Sequence, residues 1–312
     1  NQFKPVTSEE WKTKIIKDLK GDDFDKLVSH TEDGIEILPF YTAETTKNFR
    51  LPIPGKQTAN WLITEAVKVD DVLIANKDSL HALENGVNAL VFDLQHRSFS
   101  TEDILQLTTG ILLDIAPVFF YNYDAENKQD LESVVANSCI NVIVIEQQKS
   151  TVNELADALQ KGAKQTSDVI FFHFQTGQNY FLEIAKLRAF RWLWQQVCTT
   201  QNISTSMFVI AQTGNSKRDE TAHANEIYNN ILRNTTEAMS AIIGGCDYLI
   251  VNSHDVATID SDFGKRIARN MQHILQQESY FNNSSDLAKA SYYIEYLTYQ
   301  LAEKAWNQLT SV

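Results

Sequence analysis

The sequence predicts an eight-stranded parallel βα (TIM) barrel preceded by an N-terminal helical and extended arm. Three observations carry that expectation. Seven short runs are apolar, β-branched or aromatic at nearly every residue, as strands buried on both faces are. Helical patterns separate them, and a regular alternation of strand and helix implies a parallel sheet with helices outside. No GxGxxG or Walker pattern follows any of the strands, and such a turn is the usual mark of the alternative, a doubly wound open sheet.

In chain order, residues 1–45 stand outside the repeat and form the arm, of a kind that more often covers another surface than does chemistry; residues 46–312 form the barrel. "SEEWKTKIIKDLKG" opens on a capping-box pattern, Thr7 or Ser8 followed by Glu10 or Trp11, and stops at Gly21. "GIEILPFY" then reads as extended chain suited to covering another surface. Strands are expected in "NWLITEAV" (60–67), "ALVFDL" (89–94), "PVFFYN" (117–122), "NVIVIE" (141–146), "VIFFHF" (169–174), "MFVIAQT" (207–213) and "DYLIVNS" (247–253). Helices lie between them. Seven strands leave the barrel one short, so the eighth is placed in "YFNNSSDLAKAS" (280–291), between "FGKRIARNMQHILQQE" and "YYIEYLTYQLAEKAW". The aromatics of "VFFYN" and "VIFFHF" are expected to fill the interior.

Composition excludes several function classes. The net charge of −13 over 312 residues offers no basic patch to follow phosphates, so nucleic acid is not an expected partner. No apolar run approaches the roughly 18–20 residues of a membrane span. The N-terminus lacks the apolar core of a signal peptide. It also lacks an initiator Met, so the sequence is read as trimmed. Cys139, Cys198 and Cys246 are isolated and odd in number, which suggests neither a disulfide framework nor a zinc site. A reducing, cytoplasmic compartment is expected.

Function in a βα barrel concentrates where the strands end. The residues just past the strands supply His96 and Arg97, Lys217, and His254 with Asp255. Histidine titrates near neutrality, and a neighbouring carboxylate raises its pKa. Residues adjacent in sequence rarely meet side by side, however, so these pairs read more simply as solvated loop. His173, inside a strand, reads as a satisfied interior or helix-facing histidine. No ligand spacing for a metal appears, and no GxSxG elbow. Gly244–Gly245 reads as a helix stop before the seventh strand rather than a phosphate cradle. Arg233 and Glu237 have the spacing of a helical pair. Arg188 falls on the apolar stripe of "NYFLEIAKLRAFRWLW", where a buried guanidinium needs a partner. The expected partners are Glu237 and Asp255.

Several segments together resemble the methylmalonyl-CoA mutase family. "EEWKTKIIKDLKGDDFDKL" with "TEDGIEILPFYTAE" is similar to the family's leading helix and arm, and "GQNYFLEIAKLRAFRWLW" to its most recognisable barrel helix. "YNNILRNTTEAMSAIIGGCDYLIVNSHD", "DFGKRIARNMQHILQQES" and "SYYIEYLTYQLAEKAW" resemble the units that follow. The likeness spans nearly the whole chain in order. It implies an eight-unit barrel and, in catalytic members, an adenosylcobalamin-dependent rearrangement of an acyl-CoA threaded through the barrel beneath a separate cobalamin domain.

The chain departs from the catalytic pattern where substrate would bind. "LPIPGKQTANWLITEAVKVDD" lacks the family's Arg-Gly loop and its Thr-Ile-Arg-Gln-like run. "VIVIEQQKSTVNELAD" lacks the histidine of Gly-x-His-x-x-Glu. "DLAKAS" keeps Asp286 and Ser291 of an Asp-Pro-x-Gly-Gly-Ser turn but neither the Pro nor the glycines, and no Asp-x-His-x-x-Gly cobalamin motif occurs. The resemblance therefore implies a small (beta) subunit without a catalytic site or cofactor of its own, partnered by a large (alpha) subunit that holds adenosylcobalamin. Two alternatives stand beside it: an active acyl-CoA mutase chain with a divergent substrate, leaning on Arg97 or Lys217, and a stand-alone ligand-binding barrel.

Overall fold

All seven runs form strands of one parallel sheet in a computed structural model, which describes residues 6–49, 55–135, 140–214, 227–256 and 260–311. The arm comes first: α1 (Ser8–Asp18), then a short antiparallel pair, β1 (Ser29–His30) and β2 (Glu36–Ile37). Thr7 caps α1 in a full capping box with Glu10. The chain leaves that helix through Lys20 and Gly21 at positive φ, where glycine carries no Cβ penalty.

The barrel strands are β3 (Leu62–Lys68), β4 (Ala89–Asp93), β5 (Val118–Tyr121), β6 (Val142–Ile145), β7 (Val169–Thr176), β8 (Ser206–Thr213) and β9 (Tyr248–Ile250). Outside them pack α2 (Val72–Glu84), α3 (Thr101–Leu107), α4 (Lys128–Val134), α5 (Thr151–Ala163), α6 (Tyr180–Gln201), α7 (Asn229–Gly244), α8 (Asp262–Gln277) and α9 (Tyr292–Thr310). Gly245 ends α7 in the left-handed region, as its reading as a helix stop requires.

The expected eighth strand is corrected. Residues 280–291 run as turns and bends, and β9 pairs directly with β3 in the register Leu62↔Tyr248 and Thr64↔Ile250. That pairing fills the place an eighth strand would take. The strand order β5-β4-β3-β9-β8-β7-β6 makes a nearly closed seven-stranded barrel, with β5 beside β6 but no ladder between them.

The arm is fastened to this barrel. Ile35 is buried in the main core. Asp33 caps α5, accepting from Thr151 N at 3.0 Å and Ser150 Oγ at 2.5 Å. Tyr41 and Phe49 pack on Tyr293, Tyr296 and Tyr299 of α9. By contrast, no residue of α1 is buried.

Candidate functional site

Side chains alternate along a strand, so one row from each strand faces the barrel axis. Phe172 and Phe174 of β7 point outward and meet Phe190 of α6 at 4.7 and 4.9 Å between ring centroids. Phe171 and His173 therefore point inward. Phe171 meets Phe119 of β5 at 4.5 Å and Phe208 of β8 at 5.2 Å. Phe119 also meets Tyr248 of β9 at 4.9 Å. Two strands separate β5 from β9 in the sheet, so this contact crosses the axis. Ala89, Val91, Ile210 and Ile250 complete the cluster, and the interior is packed with side chains.

Toward the C-terminal ends the inward row turns polar. Gln212 donates to Asn252 Oδ1 at 2.8 Å, and Asn252 N donates to Thr213 Oγ1 at 2.9 Å. Asp93 accepts from Gln95 N at 3.0 Å and from Asn122 Nδ2 at 2.9 Å. The His173 ring stands edge-on to Tyr121 at 5.4 Å, and neither of its nitrogens has a hydrogen-bond partner among the described residues. Burial pushes its pKa down to about 4, against the opposing influence of Gln212 and Asp93. Burial, with the Asp93 carboxylate nearby, holds the Tyr121 hydroxyl well above its ordinary range. Burial thus favours the neutral form of both groups. The layer offers hydrogen bonding.

The rim residues singled out in the sequence occupy separate sectors. His96 is exposed, with Nδ1 3.8 Å from Asp124. Arg97 donates to the carbonyls of Val69 and Asp70 at 3.2 and 3.0 Å, which uses it to tie down the loop after β3. His254 is buried between Tyr228 and Phe263. Lys217 lies outside the described residues, as does Cys139. Among the described residues no group of three or more His, Cys, Asp or Glu side chains could hold a metal ion. Burial lifts the Cys246 thiol to about 12, which leaves it protonated and unreactive.

Two of the buried charge clusters in the wall centre on α6, beside those of Lys56, Asp247 and Arg191 and of Glu65 and Arg269. Arg188 is 1% exposed and donates to Asp286 and to Glu295 of α9, the latter at 2.9 Å. These replace the expected partners. Glu237 instead accepts from Gly214 N at 2.8 Å, and Asp255 accepts from Ser261 Oγ at 2.5 Å before α8. Desolvation would raise the Asp255 pKa, yet the Ser261 and Ser253 hydroxyls bring it below its ordinary value. Arg233 bonds Asn230 at 3.1 Å rather than Glu237. In the second cluster Lys186 lies 2.9 Å from Glu154 of α5 and 2.7 Å from Glu183, and donates to Gln175 O at 3.0 Å. Burial raises the Glu154 pKa, and Lys186 opposes it.

The second cluster was legible as a pattern. Glu154 interrupts the apolar face Val152, Leu155, Leu159, and Glu183 and Lys186 share a helical face three apart. Glu295 likewise stands alone among Ile294, Leu297, Thr298 and Leu301. A lone carboxylate on an apolar helical face is the signal that a buried cation faces it.

Both clusters fall mainly in the second half of the chain, where the match to known proteins is strongest. The family model for methylmalonyl-CoA mutase covers residues 155–312, just over half of the chain. The chain belongs to the methylmalonyl-CoA mutase family. It is 30% identical to the methylmalonyl-CoA mutase small subunit of Porphyromonas gingivalis, over 404 aligned positions that take in the whole chain and 63% of that protein. The alignment is longer than the 312 residues here, so the relative carries segments this mutase-family chain lacks. A methylmalonyl-CoA mutase of Rhizobium meliloti is 41% identical over 142 residues, covering 45% of this chain and 20% of its own. The large subunit from Propionibacterium freudenreichii subsp. shermanii is 38% identical over 142 residues, with the same coverage. The chain thus spans less than two thirds of the length of these relatives.

Proposed function

We propose that this chain is the barrel portion of the small (beta) subunit of an adenosylcobalamin-dependent methylmalonyl-CoA mutase, without turnover of its own. In this reading a large (alpha) subunit binds the cofactor and interconverts methylmalonyl-CoA and succinyl-CoA, and the small subunit supports it in the cytoplasm. The observation that carries the reading is the filled interior. An acyl-CoA threaded along the axis needs an open centre, and Phe119, Phe171, Phe208 and Tyr248 close it with ring contacts of 4.5–6.3 Å. A cobalamin over the C-terminal face would have no substrate beneath it, so the residues present do not fit a working cofactor site. The polar layer agrees, since burial lowers the His173 pKa to about 4 and so favours the neutral ring.

The part of the arm offered to the partner is α1. Its Trp11 and Ile16 are exposed, whereas residues near Asp33, Ile35 and Tyr41 are committed to the chain's own barrel.

The test is to purify the protein carrying this chain with and without its cognate large chain, and to assay methylmalonyl-CoA conversion with added adenosylcobalamin. Conversion is expected only when both are present. Turnover by the small chain alone would overturn the proposal in favour of an active mutase with a divergent site.

A further inference from the structure

One outer face of the barrel wall carries more apolar surface than the fold uses. Leu73 and Ile74 of α2, Leu105 of α3, and Leu112, Leu113 and Ile115 after it are 39–75% exposed. The inward rows of the same segments already supply the core: Ala75 and Ala82, then Ile104, Leu107 and Ile111. The outward six are therefore surplus to folding.

They also share one surface. Asn76 Nδ2 donates to Leu107 O at 2.8 Å and to Thr109 O at 2.9 Å, which locks the start of α2 to the end of α3. A Cβ on Gly110 would lie 3.5 Å from Leu80, so the segment after α3 lies along α2 as well. Leu73 and Ile74 are within one turn of Asn76, Leu105 precedes Leu107, and Leu112 follows Gly110. Single exposed aliphatics are ordinary, but six on adjoining segments mark an interaction surface.

The surrounding charge narrows the occupant. Residues 70–84 and 101–115 hold seven carboxylates (Asp70, Asp71, Asp78, Glu84, Glu102, Asp103, Asp114) and one lysine, Lys77. A second copy of this chain would bring like charge onto like charge across a twofold contact. We infer that this α2–α3 face docks the partner chain of the heteromer, which meets it with aliphatic side chains set among lysines and arginines. The inference rests on the heteromeric reading above and adds where the two chains meet and by what chemistry.

The experiment measures association between the protein carrying this chain and its cognate large chain, by surface plasmon resonance at several ionic strengths. Wild type is compared with Leu73→Ser/Leu105→Ser/Leu112→Ser and with Asp78→Lys/Asp114→Lys, each checked for an unchanged circular dichroism spectrum. Loss of three interface aliphatics is expected to weaken binding by about a hundredfold or more. Charge reversal is expected to slow association and flatten its salt dependence. Should the serine variant fold poorly, the lysine variant decides alone, since its sites are solvent-facing. Wild-type affinity in both variants overturns this surface while leaving the heteromer intact. No binding by wild type overturns the heteromer itself. Self-association of the small chain that the serine variant abolishes assigns the face to a second copy and also overturns the inference.

Discussion

Arg188 of α6 and Glu295 of α9 are joined inside the protein by a 2.9 Å hydrogen bond, with Asp286 on the other arm of the guanidinium. Asp286 belongs to the turns at 280–291, the stretch expected to form an eighth strand. An ion pair therefore does there what a strand ladder would have done, fixing the last connection to the barrel wall. Two carboxylates share one cation in a dry site. Desolvation raises the Glu295 pKa, and Arg188 opposes that rise.

Removing the cation should be far more harmful than removing the whole cluster. Arg188→Met leaves the buried Glu295 and the part-buried Asp286 without their cation and is expected to cost about 3–5 kcal/mol in urea unfolding. Adding Asp286→Asn and Glu295→Gln to it should recover a good part of that loss, because no uncompensated charge remains. Equal instability of the single and triple variants would refute this account. Arg188→Lys should fall between, since one ammonium lacks the fork that reaches both carboxylates.

Asp33 makes the arm part of the barrel by capping a helix remote in sequence. It accepts from Thr151 N at 3.0 Å and from Ser150 Oγ at the start of α5. Asp33→Ala should cost about 0.5–2 kcal/mol, the range for loss of an N-cap. Hydrogen exchange should quicken in residues 29–41 and in the first turn of α5, and at neither place if the arm is held by its aromatic contacts alone.

The strands were readable because strands buried on both faces are apolar without interruption, and each of the seven runs contains its observed strand core. The eighth failed because the expectation came from counting to a closed barrel, while "YFNNSSDLAKAS" has little strand material of its own. The β3–β9 pairing that replaces it is a long-range choice no local pattern records. Arg188 was readable as a buried ion-pair partner from its place on an apolar stripe. Its acceptors were not, because Asp286 and Glu295 lie 98 and 107 residues away and are brought near only by the packing of α9 on α6. Strand alternation likewise gives two faces but not which one is the interior; the contact between Phe172 and Phe190 settles it for β7.

Gly162 of α5 shows how closely that outer layer is packed. A Cβ there would lie 2.5 Å from the Trp194 ring and 2.6 Å from the Phe172 ring, and these two rings pack on each other, with Phe172 also against Phe190. Alanine favours a helix over glycine by roughly 1 kcal/mol, and overpacking a core costs about 1–3 kcal/mol. Rigid rings cannot yield as a flexible side chain would, so the packing term should win. Gly162→Ala is expected to lower the thermal midpoint and to perturb near-ultraviolet circular dichroism from Trp194. A raised midpoint would show that α5 shifts freely.

His173 should leave a mark on the pH dependence of stability. Its pKa is about 4 in the folded chain, where burial disfavours the imidazolium. The unfolded value is about 6.5, so on acidification the unfolded state takes up the proton first. The contribution of His173 to stability is thus complete above about pH 6.5 and declines as pH falls to about 4, below which it is flat. A difference of two to three pH units corresponds to about 3 kcal/mol. His173→Phe abolishes this titration and also removes two buried nitrogens that have no well-formed hydrogen bond among the described residues. The variant should match or exceed wild type at pH 7.5, because replacing an unsatisfied polar group with a carbon ring of similar shape relieves its desolvation penalty. Its advantage should widen steadily between pH 6.5 and 4 in urea titrations at each pH. Asp255, whose lowered pKa also weakens the fold in acid, is common to both proteins and cancels in the difference. A gap between variant and wild type that stays constant across that window would show that His173 is protonated in the folded barrel, with its nitrogens engaged.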